Sequence, residues 1–193
     1  APIPIDASAP IALVGMPGSG KSTVGRHLAR HLKRRFVDSD HEIEERIGMP
    51  VRSYFETHGE QAFRDLEQQV IDELSCCPDV VLATGGGTVL RPANRAALHE
   101  RCRVLYLRAS PDDVFRRLRH DTQRPLLQVA DPLGKLRELF AQRDPIYREC
   151  SHFVIETGRP AVPMLVNMIL MQLELSGTLP DHLARSPVEP PAG

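Results

Sequence analysis

Gly15-Met16-Pro17-Gly18-Ser19-Gly20-Lys21-Ser22-Thr23 sets glycines, an ammonium and side-chain hydroxyls at the spacing G-x-x-x-x-G-K-[ST]. The glycines let successive backbone N–H groups turn inward around an anion with no Cβ in the way. Lys21 brings a compact positive charge to the outer phosphates of a nucleotide, and the Ser22 hydroxyl can ligate Mg²⁺. A helix starting here aims its positive end at the same phosphates. Gly18, Ser19, Gly20, Lys21, Ser22 and Thr23 are therefore the expected cradle of a nucleoside triphosphate.

Such a loop serves kinases, switches and motors alike, so the acceptor side must discriminate. Asp38 closes a second apolar run and is the acid available to the metal. Asp40, two residues on, points to the same side if the chain stays extended; it can also cap a helix beginning near His41. Either way it could accept hydrogen bonds from substrate hydroxyls and draw a proton from one. A third run ends in Thr84-Gly85-Gly86-Gly87, where bare N–H groups suit close approach by a polar second substrate. Arg64 and Arg143 offer bidentate forks for a carboxylate, although each also reads as a solvated helix charge.

The elements that must hold these residues are visible as hydrophobic pattern. Five short runs, Ile11–Val14, Arg35–Val37, Val80–Thr84, Val104–Leu107 and Phe153–Ile155, alternate with helical segments. Val24, Leu28, Ala29 and Leu32 recur at helical spacing directly after the phosphate loop. Alternation of this kind predicts an α/β/α three-layer fold with a parallel sheet and right-handed crossovers. In such sheets ligands sit beyond the carboxyl ends of the strands, where these polar residues lie. Ser110-Pro111-Asp112-Asp113 reads as a helix start, and Pro160 and Pro163 mark the last helix. Periodicity fails between Leu118 and Pro132, and a loop that long inside a compact domain is functional or disordered.

Taken together, Gly15 to Thr23, Asp38-Ser39-Asp40, Phe63-Arg64-x-x-Glu67, Thr84-Gly85-Gly86-Gly87, Arg124-Pro125-Leu126-Leu127 and Arg143-x-Pro145-x-Tyr147 resemble the shikimate kinases in order and content. The resemblance runs from about Ile11 to Leu175. It implies ATP-dependent phosphorylation of the 3-hydroxyl of shikimate, on the route to chorismate and the aromatic amino acids. It also implies five parallel strands, a substrate-binding helical region between the second and third strands, and a mobile lid at about 118–132. By position, Asp40 holds the shikimate hydroxyls and acts as, or near, the base. Arg64 and Arg143 grip the carboxylate beside Gly85, Gly86 and Gly87. Ser22 sits on Mg²⁺ and Asp38 reaches it through water. Arg124 closes onto the transferring phosphate, Arg117 stacks on adenine, and Pro160 lies near the adenine loop.

Bulk composition bounds the rest. The 193 residues suit one domain, and a formal charge of −1 gives no global pull toward nucleic acid or anionic membrane. No aromatic residues interleave with the basic ones as a single-strand binder requires. Cys76, Cys77, Cys102 and Cys150 show no metal spacing, which fits reduced thiols in a cytoplasmic protein. Residues 1–10 are too polar and proline-rich for a signal peptide and are expected to be flexible. Residues 176–193 hold four prolines and little apolar material, and are expected to be a disordered tail. The family suggests a monomer. A related kinase acting on gluconate or a nucleoside monophosphate is the nearer rival, and a nucleotide-dependent regulatory module the more distant one.

Overall fold

Ile11, Ala12, Leu13 and Val14 carry no polar side chain, and all four are fully buried in the central strand of a sheet. The computed structural model describes residues 7–119, 129–158 and 161–177. Along it run β1 (Ile11–Val14), α1 (Lys21–Leu32), β2 (Arg35–Asp38), α2 (Ser39–Ile47), α3 (Val51–Leu74), β3 (Val80–Ala83), α4 (Pro92–Arg101), β4 (Arg103–Arg108), α5 (Pro111–Leu118), α6 (Pro132–Cys150), β5 (Phe153–Glu156) and α7 (Val162–Leu175). The strands pair in the order β2-β3-β1-β4-β5, every pairing parallel. Fold class and strand number are as the sequence predicts.

Side-chain alternation along the strands splits the core into two layers. Ala12, Val14, Leu82, Val104 and Tyr106 face α3, α4 and α6 through Val70, Ile71, Leu98, Leu136 and Tyr147. Ile11, Leu13, Val81, Leu105 and Leu107 face α1 and α7 through Leu28, Leu32, Ile169, Leu170 and Leu173. Gly25 lets α1 lie close against the sheet: a Cβ there would stand 2.7 Å from Phe36 and 3.0 Å from Leu13. Substitution would force overpacking.

Ser110 caps α5 by accepting from the Asp113 N–H at 3.2 Å, as its sequence suggests. α7 begins at Val162 with Pro163 in its first turn. α3 is interrupted at Gly59, whose φ of 85° and ψ of 169° are not helical. Ala7, Ser8, Ala9 and Pro10, part of the stretch expected to be flexible, are tied to the body of the domain. Arg34 donates to the Ala9 and Ala7 carbonyls, Asp79 N–H to Ser8 and Arg103 N–H to Pro10. Most of the expected lid, with Arg124, lies outside the described residues, as do Pro160 and the tail from 178 onward.

Candidate active site

α1 starts at Lys21 because Gly20, at φ 95°, adopts a left-handed conformation that turns the loop into the helix. The first turn of α1 thus points its N–H groups into the space above β1. Lys21 is buried there, its ammonium donating to the Gly15 and Met16 carbonyls at 2.7 and 2.9 Å. A cavity of about 500 Å³ opens in front of it. Pro17, Gly18, Gly20, Lys21, Ser22 and Thr23 form one side, and Asp38, Asp40, Thr84, Gly85, Gly86 and Arg117 the rest. The phosphate loop, the acid pair and the glycine turn come together as the sequence predicts.

Ser22 Oγ donates to Asp38 Oδ2 at 2.9 Å. A hydroxyl and a carboxylate meeting beside a phosphate cradle form a hard-oxygen pair that suits Mg²⁺. The other Asp38 oxygen accepts from the backbone N–H groups of Asp40 and His41 at 3.0 and 3.2 Å, and so caps α2. This corrects two expectations. The strand ends at Asp38, so Asp40 does not share an extended strand with it, and the capping residue is Asp38 rather than Asp40. Helix starts favour an Asx side chain that can reach the N–H two and three residues on, which Asp38 does. Asp40 instead sits in the first turn of α2 and leans over the glycine turn. A Cβ on Gly85 would stand 2.8 Å from its Oδ1.

Burial drives the Asp40 pKa up to about 6, with the Glu67 and Asp38 carboxylates adding to the rise against opposition from Lys21 and Arg64. A carboxylate poised near neutrality is suited to receive a hydroxyl proton at physiological pH.

Arg64 projects from α3 and is held by Glu67, one turn on, through Nη1 to Oε1 at 2.8 Å. Glu67 is itself buried and accepts from Thr88 Oγ1 at 2.9 Å. In the sequence Glu67 stands out only as part of the Phe63-Arg64-x-x-Glu67 motif. Its signal was an acid three residues from an arginine on an otherwise apolar helix face. Arg64 Nε is buried with no hydrogen-bond partner among the described residues, 3.7 Å from Glu60 Oε1. Buried guanidinium N–H groups without partners are rare and point to an external acceptor. Arg64 also lies over the Phe55 and Phe63 rings and fills the space where Gly87 would carry a side chain, 2.7 Å from Nη1 to an added Cβ.

Arg143, on α6, hydrogen-bonds Tyr147, whose own hydroxyl donates to the Gly86 carbonyl at 2.6 Å. Both clamp candidates therefore converge on the glycine turn. On the far side of the phosphate loop, Arg117 donates to the Gly18 carbonyl at 3.1 Å and reaches the Thr157 carbonyl at 3.5 Å. It borders a second cavity of about 220 Å³, walled by Ser19, Gly20, Thr23, Val24, Val162 and Leu165. An apolar slot with a guanidinium along its rim suits a planar base, whose phosphates then run past Gly18 into the larger cavity.

Comparison with known proteins bears on the same features. The family model for shikimate kinase matches residues 17–174. The shikimate kinase of Ralstonia nicotianae is 58% identical over 177 residues, covering 92% of this chain and 93% of that protein. That of Paracidovorax citrulli is 60% identical over 173 residues, covering 88% and 94%. Among solved structures, the shikimate kinase from Acinetobacter baumannii in complex with shikimate superposes with a TM-score of 0.83 at 46% identity, covering 89% of this chain and 96% of that one. A gluconokinase from Sinorhizobium meliloti, at 16% identity and a TM-score of 0.55, shares the fold alone. The family-model match includes Gly18 to Thr23, Asp38, Asp40, Arg64, Gly85 to Gly87 and Arg143, and on that extent and identity this chain belongs to the shikimate kinase family.

Proposed function

We propose that this protein transfers the γ-phosphoryl group of ATP to the 3-hydroxyl of shikimate, giving shikimate 3-phosphate and ADP. The observation that carries the reading is the meeting of the phosphate loop with Lys21 and the near-neutral carboxylate of Asp40 on one cavity, whose glycine wall continues at Gly87 against the Arg64 guanidinium.

Phosphoryl transfer spreads charge over the γ-phosphate oxygens while the attacking and departing oxygens lie in line, so positioning and electrostatics supply most of the acceleration. Backbone N–H groups from Gly18 to Thr23 and the Lys21 ammonium hold the phosphates. Ser22 and Asp38 would hold Mg²⁺, which when bound neutralises charge on the phosphate oxygens. Arg117 lies along the adenine; Pro160, which the family resemblance assigns to the adenine loop, lies outside the described residues. Arg64 and Arg143 take the shikimate carboxylate, and Gly85, Gly86 and Gly87 let the ring approach the backbone. This places the acid's hydroxyls against Asp40, which orients the 3-hydroxyl and accepts its proton as the bond to phosphorus forms. The family resemblance assigns the transferring group to Arg124, which lies outside the described residues. The same reading makes the protein a monomeric, cytoplasmic enzyme of aromatic amino-acid biosynthesis.

ADP release, measured with Mg-ATP and shikimate, gluconate or AMP as acceptor, tests this directly. Turnover with shikimate alone is expected. Turnover with gluconate or AMP in its place overturns the acceptor, and ATP binding without turnover on any of them leaves only a nucleotide binder.

A further inference from the structure

Tyr147 is fully buried, yet its hydroxyl is spent on two groups of the acid site. It donates its one proton to the Gly86 carbonyl at 2.6 Å and accepts an N–H from Arg143, one helical turn back on α6. Burial holds the phenol's pKa up to about 12, so the donor proton stays in place across the working range. The ring is fixed as well. It lies 5.0 Å from the Tyr106 ring, and Tyr106 donates to Asp144 Oδ1 at 2.7 Å. Asp144 also accepts from Arg108 at 3.0 Å and Arg148 at 3.1 Å, which ties α6 to β4. The ring that carries the hydroxyl is therefore held between α6 and β4.

We propose that Tyr147 is a positioning residue for carboxylate recognition, its hydroxyl setting the Arg143 fork and the Gly86 peptide in register with each other. The proposal rests on reading Arg143 as a carboxylate clamp. The fork and the peptide turn come from separate elements, α6 and the β3–α4 connection, and the Tyr147 hydroxyl bonds both. A misplacement of well under 1 Å would weaken both contacts to a planar carboxylate at once. The hydroxyl's partners, Gly86 and Arg143, belong to the acceptor side rather than to the phosphate loop, so its effect falls on acceptor affinity rather than on the chemical step.

The test is a double-mutant cycle with Tyr147→Phe and Arg143→Ala, read as kcat and KM for shikimate and for ATP. Tyr147→Phe keeps the ring and is expected to raise the shikimate KM about tenfold, with kcat and the ATP KM within twofold of wild type. In the Arg143→Ala background the same change is expected to add less than threefold, because the two act as a unit. Tyr106→Phe, which loses a buried hydroxyl contact without touching Gly86, serves as the control for general loosening and is expected to leave the shikimate KM unchanged. Three results overturn the proposal: an unchanged KM in Tyr147→Phe, an equal rise in Tyr106→Phe, or full additivity with Arg143→Ala. An Arg143→Ala variant with wild-type shikimate KM instead removes the clamp reading itself, which separates the two failures.

Discussion

Replacing Asp40 with Asn should abolish most activity and make the protein more stable, and the pH dependence of both effects can be worked out. The folded pKa of Asp40 is about 6 against an ordinary 3.8, raised first by burial and then by Glu67 and Asp38. A rise of roughly two units corresponds to about 3 kcal/mol of penalty against the ionised form. Because the folded state holds this proton more tightly than the unfolded one, stability falls as pH rises from about 4 to 6, and the cost is fully present above 6. At pH 8 Asp40→Asn removes a buried negative charge from beside two others. Its unfolding free energy in urea should exceed wild type by about 2–3 kcal/mol, a midpoint shift of roughly 1–2 M, and the advantage should vanish by pH 4. Activity should move the other way: kcat falls by about 10²–10⁴ in the variant. In the wild type, kcat/KM for shikimate at saturating Mg-ATP should climb tenfold per pH unit and bend near 6. A bend near 4, or an Asn variant less stable than wild type at pH 8, would refute the claim that burial and neighbouring carboxylates tune this group.

Other outcomes follow from other parts of the structure. Arg64→Lys keeps the charge but loses the fork and its Glu67 contact; the shikimate KM should rise about 10–100-fold while the ATP KM stays put, as steady-state kinetics would reveal. Glu67→Gln should produce part of the same KM defect, since Arg64 is then held by a neutral partner. Gly25→Ala should lower the urea midpoint by the equivalent of about 1–3 kcal/mol despite better helix propensity, because the new methyl meets Phe36 and Leu13. Stabilisation would contradict that packing. His152 accepts from the Val104 N–H at 2.9 Å and stacks on His99, and burial followed by His99 and Arg103 pushes its pKa down to about 4. Stability from this group is complete above the ordinary histidine value of 6.5 and lost as pH falls toward 4. His152→Asn, whose side-chain oxygen can still accept from Val104, should flatten that part of the acid-unfolding curve relative to wild type.

Most of the frame was legible before any coordinates. Parallel strands leave short, mostly apolar runs, and those runs match β1–β5 to within one residue at each end. The phosphate loop declared itself because its chemistry is local: adjacent residues act on one ligand. Asp40 was harder. Its role could be named from the motif, but its position depended on whether the chain stayed extended past Asp38, and a capping contact two residues long decided that. Glu67 and Tyr147 are harder still. Both act on other side chains or on a peptide distant in sequence, and nothing in local spacing announces a hydrogen bond between α6 and the glycine turn. Arg117 illustrates a third case, since a basic run on α5 looks like a solvated face until Gly18 and Thr157 are seen to approach it.

The glycine turn has a practical corollary. Gly85, Gly86 and Gly87 are bare because Asp40, Pro17 and Arg64 occupy the volumes their side chains would need. An inhibitor drawing its contacts from the main chain of that turn would press on atoms that no codon change removes. A resistance substitution there could only add bulk, and added bulk collides first with Asp40, Pro17 and Arg64, two of which are the proposed base and carboxylate clamp. Escape from such a compound and loss of enzyme fitness would then arrive in the same mutation.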